Sequence, residues 1–449
     1  MERFFMADKL MHHSSDVTIW LLPDADLKIE LKKLKDAVIP DSEALSGVFI
    51  RNEKPLSYLF LRSEQAESWL IAYKKNNPKA LYSIVTPSLH YPPLAAFLKF
   101  LAGESVQLFF TQQQSNPEKV LPQIQAIEAG RDWAKRLVNM PANLLTPSTF
   151  VKEAKPEVPG IAVEVLDAPA LQKMGMEGIL SVGRGSVHQP LLYQAMWSGG
   201  GANDKPIVLV GKGVTFDAGG ISIKEADGME DMKMDMAGAA VVLAVIQVAA
   251  ALKLPINIVA LCPVVENMPS GNAYRPSDVI TMLSGKTVEI INTDSEGRVI
   301  LADVLWYAQT KFSPKHIIDV ATLTWGIIVA LGPIFGGLFA NDDVLASQLV
   351  DAGNVSGERV WRLPLDPLYD EYLKSDYADI KNRHKDSAAA IIAAQFLQNF
   401  IKPQTSWAHI DIAATATGES FNPYGKKRST GYGVSLLANY LIRNQEQLA

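Results

Sequence analysis

Short apolar runs alternate with stretches of helical periodicity along most of the chain, the pattern left by strands and helices that follow one another. In the first part, Val17–Leu22, Tyr58–Leu61, Tyr82–Val85 and Val106–Phe110 read as strands, and Ala66–Lys74 and Leu94–Leu101 as helices. A polar stretch, Thr111–Lys119, comes next, and then a helical one, Val120–Val138, that ends near Asn139 and Pro141. This change predicts a small N-terminal α/β domain over residues 1–115, a connecting helix and linker over 116–150, and a larger domain over 151–449. From Pro206 the alternation strengthens, with strands expected at Ile207–Val210, Ile256–Leu261, Thr287–Ile291, His316–Val320 and Trp407–Ile412. Helices are expected at Ala237–Leu252 and Gly297–Thr310, the second with Val299, Ile300, Val304, Leu305 and Ala308 at helical spacing. The expected fold is therefore α/β, with a mostly parallel central sheet flanked by helices and any site at the carboxyl ends of the strands.

Composition narrows the picture. A chain of 449 residues exceeds one ordinary hydrophobic core, which agrees with two domains. Apolar residues at 48% and charged residues at 20% are typical of a globular protein, so disorder explains no long segment. A net charge of −6 and scattered Lys and Arg leave no footprint for a phosphate backbone, and nucleic acid is not expected as a partner. The single cysteine, Cys262, excludes an intrachain disulfide or a cysteine-built zinc site and fits a reducing compartment. It lies in the apolar run Ile256–Pro263 and reads as a core thiol. Glu2, Arg3, Asp8 and Lys9 interrupt the start of the chain where a secretory signal would be apolar, so a cytoplasmic location is expected. Val320–Ala340 carries no charge over a membrane-spanning length, but Gly326, Gly332, Pro333, Gly336 and Gly337 break it, and no membrane span is expected.

Three segments carry candidate chemistry. Val210–Lys224 leaves a strand, enters a turn with four glycines and holds Lys212, Asp217 and Lys224. Taken alone it is equally well a flexible loop with solvated charges; it has neither P-loop nor dinucleotide spacing. Glu230–Ala240 places Asp235 just before a long Ala- and Val-rich helix, where a first-turn carboxylate worth about 1 kcal/mol is the plain alternative. Ile290–Arg298 sets Asp294 and Glu296 two residues apart, so that on extended backbone both point the same way. Like charges this close need a cation between them, and a pair of Mg²⁺, Mn²⁺ or Zn²⁺ ions about 3.5–4 Å apart meets that need.

Together Lys212, Asp217, Lys224, Asp235 and the run Asn292-Thr-Asp-Ser-Glu-Gly-Arg298 resemble the leucyl aminopeptidase (cytosol aminopeptidase) family in residue, order and spacing. Asn139–Asn143, Ala321–Thr324, Trp407–Ala413 and Ser429–Gly433 extend the similarity over roughly residues 130–442. The resemblance implies a two-metal aminopeptidase. One ion would be held by Lys212, Asp217, Asp235 and Glu296, the other by Asp217, Asp294 and Glu296, with Lys212 bound as the neutral amine. It implies attack by a metal-bridging hydroxide, Lys224 as the protonated oxyanion stabiliser, and Arg298 holding a bicarbonate that relays a proton. Mn²⁺ or Zn²⁺, with Mg²⁺ as a further choice, would be the cofactors, peptides the substrates and a hexamer the assembly. Met232, Thr322, Leu323 and Trp325 would receive the substrate's first residue, an apolar one.

Two positions depart from the family pattern. Ser295 stands where alanine is usual, and Trp325 where glycine is usual, beside the segment that receives the substrate. The seven histidines, His12, His13, His384 and His409 among them, match no ligand position and read as structural or surface residues. Their absence from these segments disfavours a two-metal phosphoesterase. A metal-binding scaffold without turnover is the alternative reading; intact Lys224 and Arg298 argue against it, since metal binding needs neither.

Overall fold

The computed structural model describes strands at 3–6, 17–21, 48–53, 56–61, 82–86 and 106–110, then residues 117–385, 387–418 and 428–448. The chain divides into a first unit, Met1–Glu128, and a second, Ala129–Ala449. In the first, β1 (Arg3–Met6), β2 (Val17–Leu21), β3 (Val48–Glu53), β4 (Leu56–Leu61), β5 (Tyr82–Thr86) and β6 (Val106–Phe110) form one sheet in the order β1-β6-β5-β2-β3-β4. Its first four members pair in parallel, and the β2-β3-β4 end is antiparallel. All four apolar runs expected as strands are strands here, whereas the expected helices at 66–74 and 94–101 lie outside the described residues.

The second unit is built on a nine-stranded sheet. Its members are β7 (Ala162–Leu166), β8 (Leu191–Ser198), β9 (Ile207–Gly211), β10 (Gly213–Asp217), β11 (Asn257–Asn267), β14 (His316–Ala321), β15 (Gly336–Ala340), β16 (Val360–Arg362) and β18 (Ser406–Asp411). A second sheet holds β12 (Val279–Thr281), β13 (Thr287–Glu289) and β17 (Ile380–Lys381). Strand order in the large sheet is β16-β15-β18-β14-β9-β11-β8-β7, with β10 paired to the far end of β11. The centre, β18-β14-β9-β11, is parallel. Every residue of β9 and β14 is buried, as a parallel strand covered on both faces requires.

The helix Ala237–Ala251 connects β9 and β10 to β11, and the helix Glu296–Phe312 leads to β14 on the other side of β9. Right-handed crossovers running in opposite directions place these two helices on opposite faces. The first is apolar on all sides because it packs on β9, β11 and β14 and is backed by the helix Val434–Leu448. With its preceding turn it is long and apolar enough to cross a membrane, but 89% of that window is buried inside the protein, as in a core helix. Gly238 permits the close approach: a Cβ there would lie 2.0 Å from Val320 O and 2.9 Å from Lys212 N.

The expected strand at Thr287–Ile291 is shorter than read and belongs elsewhere. It is β13 of the small sheet, because Ser284-Gly285 turns the chain into a hairpin with β12 before any crossover helix can form. What matters for the site is the centre of the large sheet. After β9 the chain turns toward β11, while β14 lies on the other side, so their carboxyl ends open a crevice between diverging loops.

Candidate metal centre

Five residues on four segments converge on this crevice. Lys212 follows β9, Asp217 ends β10, Asp235 precedes the helix Ala237–Ala251, and Asp294 and Glu296 precede or open the helix Glu296–Phe312. Ligand oxygens of Asp217, Asp294 and Glu296 all lie within 4.8 Å of one another. Lys212 Nζ sits 2.7 Å from Asp235 Oδ2 and 2.8 Å from Glu296 Oε1, and donates to Thr322 O at 3.0 Å. Lys224 Nζ is 2.8 Å from Asp217 Oδ2 and also pairs with Asp294 Oδ1. Gly297 keeps room for the first lysine, since a Cβ there would lie 2.6 Å from Lys212 Cε.

Two sequence readings change in detail. Asp294 and Glu296 do not share an extended strand: Asp294 lies in a turn where its N–H donates to Asn292 Oδ1 at 2.7 Å, and Glu296 is already helical. Their carboxylates meet because the turn folds one toward the other. Asp235 likewise is no helix cap. It closes the 3-10 turn Met229–Met234, and its carboxylate faces Lys212 and accepts from Thr322 Oγ1 at 2.7 Å.

The electrostatics favour an additional cation. Four carboxylates (Asp217, Asp235, Asp294, Glu296) against two ammonium groups (Lys212, Lys224) give a formal charge, with every group ionised, of 2 − 4 = −2 in a largely buried cluster. Burial first, and then the neighbouring Asp217 and Glu296 charges, push Asp294 up to about 7. Burial also raises Asp217, and raises Asp235 well above the ordinary carboxylate range. Burial acts the same way on Glu296, but Lys212 and Lys224 outweigh it and hold this carboxyl low. Both lysines stay charged, because burial, which opposes the ammonium, is outweighed by the carboxylates around each. Clustered oxygen donors short of positive charge are the set that hard divalent cations take.

The surroundings fix this geometry. Asp217 Oδ1 accepts from Gly219 N at 2.9 Å and from Asn267 Nδ2 at 2.8 Å. Asn267 Nδ2 and Tyr274 Oη also donate to Thr293 O, at 3.0 and 2.8 Å, while Thr293 Oγ1 donates to Gly219 O at 2.6 Å. Asn267, Tyr274 and Thr293 thus tie the Asp217 loop to the Asp294 loop, and the sequence reading did not find them. Neutral polar residues beside apolar runs carry no charge signal; only their place at or after the end of β11, or just before Asp294, could have drawn attention.

Arg298 is buried, donates through Nη1 to Asn382 O at 2.9 Å, and keeps a buried Nε with no hydrogen-bond partner. Among the described residues no carboxylate pairs with it, so it is not a helix-surface ion pair. Burial and the nearby Arg383 lower its guanidinium to about 10. Ser295 is buried between the two acidic residues. Thr322 is buried beside Asp235, Leu323 is half-buried, and Met232 is half-buried in the 3-10 turn. Trp325 opens the helix Trp325–Leu331 and is 76% exposed, so its indole fills no interior pocket. Cys262 is fully buried in β11, where a core thiol was expected, and His409 is buried against Asp319.

Residues 132–438 match the catalytic domain of the cytosol aminopeptidase family. The probable cytosol aminopeptidase of Phytoplasma mali (strain AT) is 47% identical over 339 residues, 75% of this chain and 68% of that one. That of Xanthobacter autotrophicus is 46% identical over 344 residues, 76% of this chain and 69% of its own. Among solved structures, the bottromycin maturation enzyme BotP in complex with Mn superposes with a TM-score of 0.73 at 31% identity, covering 86% of this chain and 88% of that one. On the extent of this match, which spans every segment of the carboxylate cluster, the chain belongs to the cytosol aminopeptidase family.

Proposed function

We propose that this metal-dependent aminopeptidase cleaves the first peptide bond of peptides at a two-ion centre and prefers apolar first residues. Asp217, Asp294 and Glu296, clustered within 4.8 Å, are the observation that carries the reading. Lys212, as the neutral amine that adjacent divalent cations make accessible, would hold one ion with Asp217, Asp235 and Glu296, and Asp217, Asp294 and Glu296 would hold the other, with Mn²⁺ or Zn²⁺ matching this donor set and Mg²⁺ as a further choice. Bound divalent ions supply Lewis acidity and a hydroxide nucleophile at neutral pH.

Accessibility separates the two lysines. The Lys212 side chain is 4% exposed and enclosed by Asp235, Glu296 and Thr322 O, which suits a ligand and excludes contact with substrate. Lys224 is 22% exposed, so its ammonium reaches a bound peptide and stabilises charge developing on the carbonyl oxygen. Arg298, held through Asn382 O, offers its unpartnered Nε to a small anion, and bicarbonate there would take up and return a proton. Half-buried Met232 and Leu323, beside buried Thr322, offer soft apolar contact to the first side chain.

A homo-oligomer, a hexamer by family resemblance, is part of this proposal, as is a cytoplasmic location. Trp325 at 76% and Val329 at 73% exposure, four residues apart on one short helix, support burial against another copy. The test of the function is release of p-nitroaniline from Leu- and Met-p-nitroanilide with added Mn²⁺ or Zn²⁺, with and without chelator, beside Asp294→Asn. Metal-dependent release that Asp294→Asn abolishes is expected. No release from any aminoacyl amide would leave the scaffold reading in its place.

A further inference from the structure

The segment that leaves β14 beside the metal centre is held from two sides. On the side of the centre, Thr322 Oγ1 donates to Asp235 Oδ1 at 2.7 Å and Thr322 O accepts from Lys212 Nζ at 3.0 Å. On the other side stands Asp411, the last residue of β18 and completely buried. Its Oδ1 accepts from Leu323 N and from Ala413 N, both at 3.1 Å, and its Oδ2 accepts from Thr324 Oγ1 at 2.7 Å. Thr324 Oγ1 in turn accepts from Ile327 N at 3.2 Å and caps the helix Trp325–Leu331.

We propose that Asp411 is a positioning residue for the reaction: through Leu323 N and the Thr324 hydroxyl it sets where the 322–324 segment lies relative to the metal centre. A buried carboxylate is retained only when well-placed donors compensate its desolvation, and here three do, all at the start of loops beside the centre. Asp411 makes no contact with a proposed metal ligand; it acts on the backbone that Thr322 joins to Asp235. The inference rests on the proposed function, because it needs that segment to face the substrate.

Thr324→Val keeps the side-chain shape and removes the hydroxyl, Thr324→Ser restores it, and Asp411→Asn weakens the acceptor. In the Mn²⁺-loaded full chain, Thr324→Val and Asp411→Asn should each lower kcat/KM for Leu-p-nitroanilide about tenfold, mostly by raising KM, with bound Mn²⁺ unchanged. Thr324→Ser should stay within about twofold of the parent. In the metal-free chain, hydrogen exchange of amides 322–328 should quicken about tenfold in Thr324→Val and remain slow in Thr324→Ser. Unchanged exchange in Thr324→Val, or loss of Mn²⁺ in step with activity, would overturn the proposal. An inactive parent chain would overturn the proposed function instead, while the exchange measurement still judges the clamp.

Discussion

At the scale of single residues, the same side-chain type meets two environments in one site. Lys212 is sealed among Asp235, Glu296 and a backbone carbonyl, and Lys224 lies at the edge between Asp217 and Asp294. Lys224→Met should therefore reduce turnover by roughly 10²–10³-fold while bound Mn²⁺, measured by plasma emission, stays at the parent level. Lys212→Met should lose Mn²⁺ together with activity. Equal loss of Mn²⁺ in both variants would show that the lysines do not divide the work. The acidic and basic members of this site were legible through their joint order and spacing, which resemble the family; taken alone, charge in a glycine-rich turn reads equally well as a solvated loop. Asp411 was not, since an alternating strand such as Trp407–Ala413 gives the same pattern whether its last carboxylate faces solvent or three buried donors. Trp325 could be flagged by type alone, but only the fold shows that its ring lies outward.

At the scale of elements, the central parallel strands β9, β11, β14 and β18 of the second unit were readable as unbroken apolar runs because helices cover both of their faces. The antiparallel members β7 and β15 of the large sheet were not. The residues of β7 are exposed or half-buried at a sheet edge, and β15 contains two glycines, so neither shows the run or alternation that marks a strand. The close approach of helix Ala237–Ala251 to the sheet at Gly238 gives a direct test: Gly238→Ala must push the helix away from Val320 O and Lys212 N. A loss of about 1–3 kcal/mol in chemical denaturation is expected, with weaker Mn²⁺ binding because Lys212 shifts with the backbone. A second test concerns β14 and the helix Val434–Leu448, joined by a 2.7 Å hydrogen bond between His316 Nε2 and Tyr440 Oη. Burial, then the neighbouring Lys315, lowers His316 to about 4. The folded chain thus keeps this imidazole neutral where the unfolded chain protonates it, and stability falls as pH drops from about 6.5 to about 4, by up to about 3 kcal/mol. His316→Gln should flatten that part of the urea-stability profile against pH; an unchanged slope would assign it to other groups.

At the scale of the whole molecule, the proposed metal centre is a place where folding gathers more acidic than basic groups. Residues from 212 to 296, brought together by β9, β10 and two helix starts, place a formal charge of 2 − 4 = −2 where little solvent screens it. Ion binding and folding are therefore linked: an ion held by the native cluster and not by the dispersed unfolded ligands stabilises by about 2.7 kcal/mol at a hundredfold excess over Kd. For a unit as long as Ala129–Ala449, that corresponds to a melting rise of roughly 4 °C on adding Mn²⁺ to chelator-treated protein. Asp294→Asn separates this linkage from ordinary packing. It removes one of three crowded carboxylates, so the metal-free variant should melt no lower than the metal-free parent, and the rise with Mn²⁺ should shrink to near zero. Scanning calorimetry of both chains with and without Mn²⁺ gives the four melting points needed. A metal-free variant that melts well below the parent, with its Mn²⁺ rise intact, would mean that Lys224 already satisfies Asp294 and that the carboxylates are held by ion pairs within the chain.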